Sequence, residues 1–220
     1  MPKGSNTAII VAAGSGSRFG GDLPKQYLTL NQREVLSYSV EAFQNHPDVH
    51  TTIIVCAEPY FSRVKEAYPS CEVVIGGKTR QASVHNGLKA CPAGTAHVLV
   101  HDAARPLIPS GLIDRCLKAL ETFDGVAPVI QPSDSMVLLE HDQFTNLSRD
   151  QLRIVQTPQC FQFDVLVQAH ASGQVDTDEI GLIKQTLPSA RLTLIEGAVM
   201  MLKITQRSDL RMLADFLKER

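Results

Sequence analysis

Short β-branched runs alternate with amphipathic segments along the chain, and this alternation restricts the possible folds more than any other feature. The apolar runs are Thr7 to Val11, Thr51 to Cys56, Cys71 to Ile75, His97 to Val100, Val126 to Ile130 and Leu192 to Ile195. Between most of them lie segments with helical spacing, at Val35 to Phe43, Arg80 to Ala90 and Leu112 to Phe123. This pattern predicts an α/β fold with a Rossmann-like, mostly parallel sheet flanked by helices. With 220 residues and an apolar fraction of 44% the chain has material for one substantial core, so 1–220 reads as a single domain. Ligands of such sheets sit beyond the carboxyl ends of the strands, which makes the strand-end loops the place to seek function.

The first of these loops is chemically loaded. Thr7-Ala-Ile-Ile-Val11 runs into Ala12-Ala-Gly-Ser-Gly-Ser-Arg18-Phe-Gly20, followed by Pro24-Lys25-Gln26-Tyr27. Glycines let the backbone turn its N–H groups toward an anion, and Arg18 and Lys25 add charge that the amides lack. The spelling excludes two common phosphate loops. A dinucleotide fingerprint needs a third glycine where Phe19 stands, with Gly20 one place late. Gly77-Lys78-Thr79 resembles the end of a P-loop, but the required first glycine is replaced by Glu72.

Composition removes further classes. The formal net charge is −2, with no block of like charge to coat a polyanion, so nucleic acid is not expected as a partner. The five cysteines, Cys56, Cys71, Cys91, Cys116 and Cys160, are widely spaced with no Cys-x-x-Cys pair. That pattern argues against a disulfide framework or a zinc site and suits reduced thiols in the cytoplasm. No signal-like opening and no membrane-spanning run is present, so neither export nor membrane insertion is expected. None of the seven histidines has metal-ligand spacing, and no serine sits in a nucleophile elbow. Covalent catalysis has no candidate.

Other strand ends add polar groups. Ile75 is followed by Gly76-Gly77-Lys78-Thr79-Arg80, and Val100 by His101-Asp102-Ala-Ala-Arg105-Pro106. Asp102 either caps a turn or sits on a metal or a sugar hydroxyl. Residues 131–156 break the alternation: two extended runs around a polar turn at Glu140 to Asn146, returning through Leu152 to Val155, read as an inserted hairpin. It packs either on a second subunit or as a lid on its own domain. Thr177-Asp178-Glu179 reads as a helix cap with acids in the first turn or as a metal contact. Lys203, inside an apolar stretch, either reaches solvent or faces an anion. A last helix at about Ser208 to Glu219 looks structural.

Taken together the motifs resemble one family. Ala12-Ala-Gly-x-Gly-x-Arg18 with Pro24-Lys25-Gln26-Tyr27, Gly76-Gly-x-x-Arg80-x-x-Ser83-Val84, His101-Asp-Ala-Ala-Arg-Pro106, Gln156-Thr-Pro-Gln159, Thr177-Asp-Glu179 and Lys203-Ile-Thr205 stand in the order seen in 2-C-methyl-D-erythritol 4-phosphate cytidylyltransferases. The resemblance spans nearly the whole chain. It implies a nucleotide-diphospho-sugar transferase type of fold, a cytoplasmic homodimer, and an arm at 132–156 that reaches the partner's site. It also implies transfer of CMP from CTP to the sugar-alcohol phosphate with release of pyrophosphate, aided by Mg²⁺ or another divalent cation, in non-mevalonate isoprenoid biosynthesis.

By the same resemblance Arg18 and Lys25 stabilise the transition state, and Lys203 and Arg149 position the attacking phosphate. Ala12, Ala13, Gly14, Gly16, Gly77, Arg80 and Ser83 match the CTP pocket. Asp102, Arg105, Ser135 and Thr157 match positions at the sugar phosphate, with Asp102 also the candidate metal ligand. The acceptor side departs from the family pattern. Asp134-Ser135-Met136-Val137 lacks the usual arm Lys, Ser148-Arg149 replaces Asp-Arg, Leu152-Arg153 replaces Leu-Trp, Met201 stands where Asn is usual, and Lys184 replaces an acid. Another alditol phosphate, such as ribitol 5-phosphate, is therefore an alternative acceptor, and a nucleotide-binding regulator without turnover is the alternative of another class. Some relatives carry a fused cyclodiphosphate synthase; this chain is expected to act without one.

Overall fold

The computed structural model describes residues 4–14, 16, 19, 23–109 and 111–218. In chain order its elements are β1 (Ser5–Ala12), β2 (Thr29–Leu30), β3 (Arg33–Glu34), α1 (Val35–Gln44), β4 (Thr51–Cys56), α2 (Phe61–Ala67), β5 (Glu72–Ile75), α3 (Arg80–Lys89), β6 (Thr95–Asp102) and α4 (Leu112–Ala119). There follow β7 (Gly125–Ile130), β8 (Met136–Glu140), β9 (Gln143–Leu147), β10 (Ile154–Val155), β11 (Gln159–Gln162), α5 (Phe163–Ala171), α6 (Glu179–Thr186), β12 (Leu192–Glu196) and α7 (Arg207–Lys218).

β1 is an interior strand of an eight-stranded sheet, flanked by β6 and β4. It pairs in parallel with β4, Thr7↔Thr51 through Ala12↔Cys56, and with β6, where Val11 meets Asp102. β5 continues the parallel set, ending at Cys56↔Ile75. The carboxyl ends of β1, β4, β5 and β6 thus lie in register on one edge, and the glycine loop, the Gly76–Thr79 loop and the Asp102–Arg105 turn all open there. β12 runs parallel to β7 from Leu192↔Gly125 to Glu196↔Val129.

Successive residues of these strands face opposite sides of the sheet, and each side has its own core. On one, Ile10, Ile54 and Leu99 pack with Leu36, Val40 and Phe43 of α1 and with Leu112 and Cys116 of α4. On the other, Ile9, Ile53 and Val98 pack with Val84 and Leu88 of α3, Leu166 of α5 and Leu182 of α6. Each fully buried side chain of this size contributes about 1.5–3 kcal/mol. Gly87 lets α3 sit close to β1, since a Cβ there would lie 2.6 Å from Ile9 Cγ2. A third cluster, with Leu30, Val35, Leu107, Ile204 and Leu213, seats α7 and the Lys203 segment against the sheet edge.

The sheet is mostly parallel, as expected, with two antiparallel strands that the sequence reading did not identify: β11 inserts between β6 and β7, and β10 also runs antiparallel to β7. Two expectations need correction. The return strand of the hairpin is β9, not Leu152 to Val155; a two-residue turn at His141–Asp142 joins β8 to β9, while Ile154 and Val155 belong to the main sheet. Gln143–Leu147 reads as a polar turn because both faces of this hairpin are exposed, so no buried face imposes alternation. Helix α4 ends at Ala119 rather than Phe123, with Leu120 as its C-cap. Among the described residues no helix is long and apolar enough to cross a membrane.

Candidate active site

The strand ends enclose a cleft of about 420 Å³. Its walls include Ala12, Ala13, Gly14, Gly16 and Lys25 from the first loop, Gly77, Arg80 and Ser83 from the second, and Asp102 and Lys203 opposite. These ten of the sequence-derived residues therefore come together. Arg18 lies outside the described residues. Thr157 stands one layer behind the cleft, Arg105 is turned inward, and Ser135 and Arg149 are on the exposed arm of the same chain, away from this cleft.

The glycine loop is held from beneath. Gln26, buried, donates both amide hydrogens, to Ala12 O at 2.6 Å and Gly14 O at 2.9 Å. Lys25 Nζ donates to Ile204 O at 2.5 Å, tying the loop to the segment that carries Lys203. In the second loop, Thr79 caps α3 by accepting from Ala82 N at 3.0 Å. Ser83 Oγ accepts from Gly77 N at 3.1 Å and donates to Thr79 O at 2.9 Å, folding the turn back on the helix. Gly76 permits the contact between the loops, because a Cβ there would meet Ala13 Cβ at 2.4 Å and Ser83 Oγ at 2.9 Å.

A charge chain runs behind the cleft. Asp102 Oδ1 accepts from Arg80 Nε at 2.9 Å and Oδ2 from Lys203 Nζ at 2.6 Å, with Arg105 Nε 4.0 Å from Oδ2. Arg80 Nη1 also donates to both oxygens of Glu179, at 2.8 and 2.7 Å. Burial alone would raise the Asp102 carboxyl, but Arg80, Lys203 and Arg105 override it and hold the group well below the usual carboxylate range. Burial likewise opposes charge on Arg80, and Asp102 and Glu179 more than restore it. Burial pushes the Glu179 carboxyl up against the opposing pull of Arg80. Lys203 thus faces an anion rather than reaching solvent alone.

Behind Asp102 a neutral hydrogen-bond relay fixes the backbone. Burial lowers the His101 pKa to about 4, so the ring is neutral at pH 7. Its Nε2 is 3.0 Å from Arg105 O, an atom without a proton, so Nε2 carries the hydrogen and Nδ1 accepts. Thr157 Oγ1 therefore donates to Nδ1 at 3.1 Å and accepts from Asp102 N at 3.1 Å. Arg105 donates to Met201 O at 2.7 Å and Val155 O at 3.4 Å, bracing the Lys203 segment. Gln26, His101, Thr157 and Glu179 all stand in motifs quoted from the sequence, but their roles as loop clamp, hydrogen-bond relay and partner of Arg80 are not legible there. Asp178 caps α6 by accepting from Gly181 N at 2.9 Å.

Asp102 suits a divalent cation of the Mg²⁺ type. A carboxylate has about four lone-pair sites, and Arg80 and Lys203 occupy one on each oxygen. One carboxylate facing a cleft lined with cations matches the habit of Mg²⁺ to take the rest of its shell from phosphates and water. What the arrangement can do chemically is bind a polyphosphate and stabilise charge on it. The Asp102 carboxylate is held by Arg80 and Lys203, and the Ser83 and Thr79 hydroxyls by the loop's own backbone.

A family model described as 2-C-methyl-D-erythritol 4-phosphate cytidylyltransferase matches residues 6–220. A protein of that name from Clostridium acetobutylicum is 34% identical, over 97% of this chain and 98% of its own length. One from Cereibacter sphaeroides is 39% identical over 93% of each. The crystal structure of a protein of the same name from Thermus thermophilus superposes with a TM-score of 0.79 at 29% identity, covering 98% of this chain and 99% of that one.

Proposed function

The chain belongs to the family of 2-C-methyl-D-erythritol 4-phosphate cytidylyltransferases, CTP-dependent nucleotidyltransferases of isoprenoid synthesis, and we propose that its own cleft performs the transfer through Lys25, Lys203 and Arg18. The enzyme moves CMP from CTP to 2-C-methyl-D-erythritol 4-phosphate and releases pyrophosphate. The observation that carries the assignment of the site is the convergence of Lys25 and Lys203, on adjacent loops, upon one cleft floored by the glycine loop.

An oxygen of the acceptor's phosphate attacks the α-phosphorus of CTP in line, and the bond from that phosphorus to the bridging oxygen of the β-phosphate breaks, the electron pair leaving with pyrophosphate. The nucleophile is already an anion, so no general base is needed. This suits a cleft whose nearby histidine, His101, is buried, neutral and hydrogen-bonded at both nitrogens. Lys25 and Arg18 neutralise charge that grows on the transferring and leaving phosphoryl oxygens, and Lys203, aimed by Asp102, holds the attacking phosphate. Ala12, Ala13, Gly14, Gly16, Gly77, Arg80 and Ser83 hold the nucleotide with main-chain amides, a hydroxyl and a guanidinium. A Mg²⁺ ion, with Asp102 as its protein ligand, would supply further charge neutralisation on the phosphates when bound.

Ser135 and Arg149 enter our reading as residues given to the partner subunit's cleft by the arm at 132–156. Support comes from the arm itself: Leu139 is 70% and Phe144 68% exposed on a two-stranded hairpin that has no core of its own. A homodimer through the arm covers them. The cytoplasm is supported as the compartment by the free state of all five cysteines. Pyrophosphate release from CTP and Mg²⁺, with methylerythritol 4-phosphate and ribitol 5-phosphate in parallel, tests the reading. Preference for methylerythritol 4-phosphate is expected; preference for ribitol 5-phosphate contradicts it.

A further inference from the structure

Glu179 lies 99 residues from Arg80 in sequence, is buried, and gives both of its oxygens to Arg80 Nη1. Arg80 sends Nε to Asp102, and among the described residues its Nη2 has no hydrogen-bond partner. Arg80 also lines the cleft and is a quarter exposed, at 25% of its side chain. A guanidinium left alone beside a carboxylate prefers the two-pronged pairing, with Nε and Nη2 on the two carboxylate oxygens. Here that pairing would set a second donor on Asp102 Oδ2 beside Lys203 and consume Nη2.

We propose that Glu179 is a positioning residue: by holding Arg80 through Nη1 it keeps Arg80 from the two-pronged pair with Asp102, leaves Lys203 without a competing donor on Asp102 Oδ2, and leaves Arg80 Nη2 for the bound nucleotide. Glu179 touches neither the cleft nor the reacting atoms, and acts through Arg80. It is itself fixed by its helix. Gln159 Oε1 accepts from Glu179 N and Ile180 N, both at 3.1 Å, so the start of α6 is anchored to β11. The acidic segment before α6 therefore serves the site by aiming a cation. The inference rests on the nucleotide-transfer reading of the cleft, and deepens it.

A double-mutant cycle on CTP affinity tests it, with Glu179→Gln and Arg80→Ala alone and together, measured by calorimetry with CTP and Mg²⁺. Glu179→Gln should weaken CTP binding about 10-fold in the native background, the range of one charged hydrogen bond. With Arg80 already replaced, the same change should move affinity by less than about 2-fold, the limit for independent sites. Melting temperature should also change sign: Glu179→Gln lowers it alone, and raises it beside Arg80→Ala by removing a buried unpaired carboxylate. Equal losses of affinity in both backgrounds would overturn the inference. If Glu179→Gln does not fold, Glu179→Asp serves in the same cycle, still charged but too short to hold Nη1 in the same way. Absence of turnover by the native enzyme would contradict the proposed reaction alone, because the cycle reads CTP binding.

Discussion

Lys203 Nζ donates to Asp102 Oδ2 at 2.6 Å across 101 residues of sequence, and the next residue, Ile204, accepts from Lys25 Nζ. One short segment thereby fixes two cations that line the cleft. Asp102→Asn would leave Arg80, Lys203 and Arg105 without their shared counter-charge. Removing one member of a buried ionic group costs about 3–5 kcal/mol; Asp102 is mostly buried, so a loss near the lower end, about 3 kcal/mol, is expected in urea unfolding, together with a fall in kcat. A variant as stable as the native enzyme would show that the three cations do not depend on Asp102.

Gln26 offers a cleaner probe of the glycine loop. Its amide satisfies two carbonyls at once, and a carboxylate in the same place would set acceptors against acceptors. Gln26→Glu should weaken CTP binding about 10- to 100-fold, and Gln26→Ala by less, in line with one or two unsatisfied buried groups. Calorimetric titration with CTP measures both, and equal affinities would mean that the loop does not need its clamp.

The parallel part of the sheet was legible because β1, β4, β6, β7 and β12 are apolar, β-branched and bounded by turns. β11 was not legible: Gln159-Cys-Phe-Gln162 is short, and Gln159 at its start is buried only because it finds partners on α6. The same limit applies to the site. Loops that carry glycine beside Arg or Lys announce themselves, whereas Glu179 reaches Arg80 only through the packing of α6 on α5 and of α5 on α3, which no local spacing records. Gln26 was visible as part of a motif, but its two-carbonyl bond depends on where the loop turns.

His101 makes stability depend on pH. Its pKa is about 4 when folded and 6.5 by the ordinary value, so between these limits the unfolded chain binds more protons. Stability must then rise with pH from about 4 to 6.5, by up to about 3 kcal/mol, and be lost as pH falls through the folded value. His170, which burial first and then His85 lower to about 4, adds in the same direction. Urea unfolding at pH 4.5 and pH 7 measures the slope. His101→Gln should reduce it, and an unchanged slope would show that His101 is not its source.

The arm carries Leu139 opposite Phe144 on β8 and β9, both exposed. The proposed dimer through the arm covers them, so Leu139→Asp with Phe144→Asp should give a monomer in sedimentation where the native enzyme is a dimer, since apolar anchors buried at an interface commonly hold about 2 kcal/mol or more each. Activity should fall with the dimer, as Arg149 is lost from the partner's cleft. A monomeric native enzyme with full turnover would remove the arm from the site.

The most direct measurement is the rate of pyrophosphate release at saturating CTP and methylerythritol 4-phosphate for Lys25→Ala against the native enzyme, with CTP affinity measured alongside. The account predicts a fall of about 100-fold or more in rate, the usual effect of losing one charge-stabilising donor, with CTP affinity changed by less than about 10-fold. A variant that keeps the native rate would contradict the claim that this cleft transfers CMP by positioning cations around the phosphates.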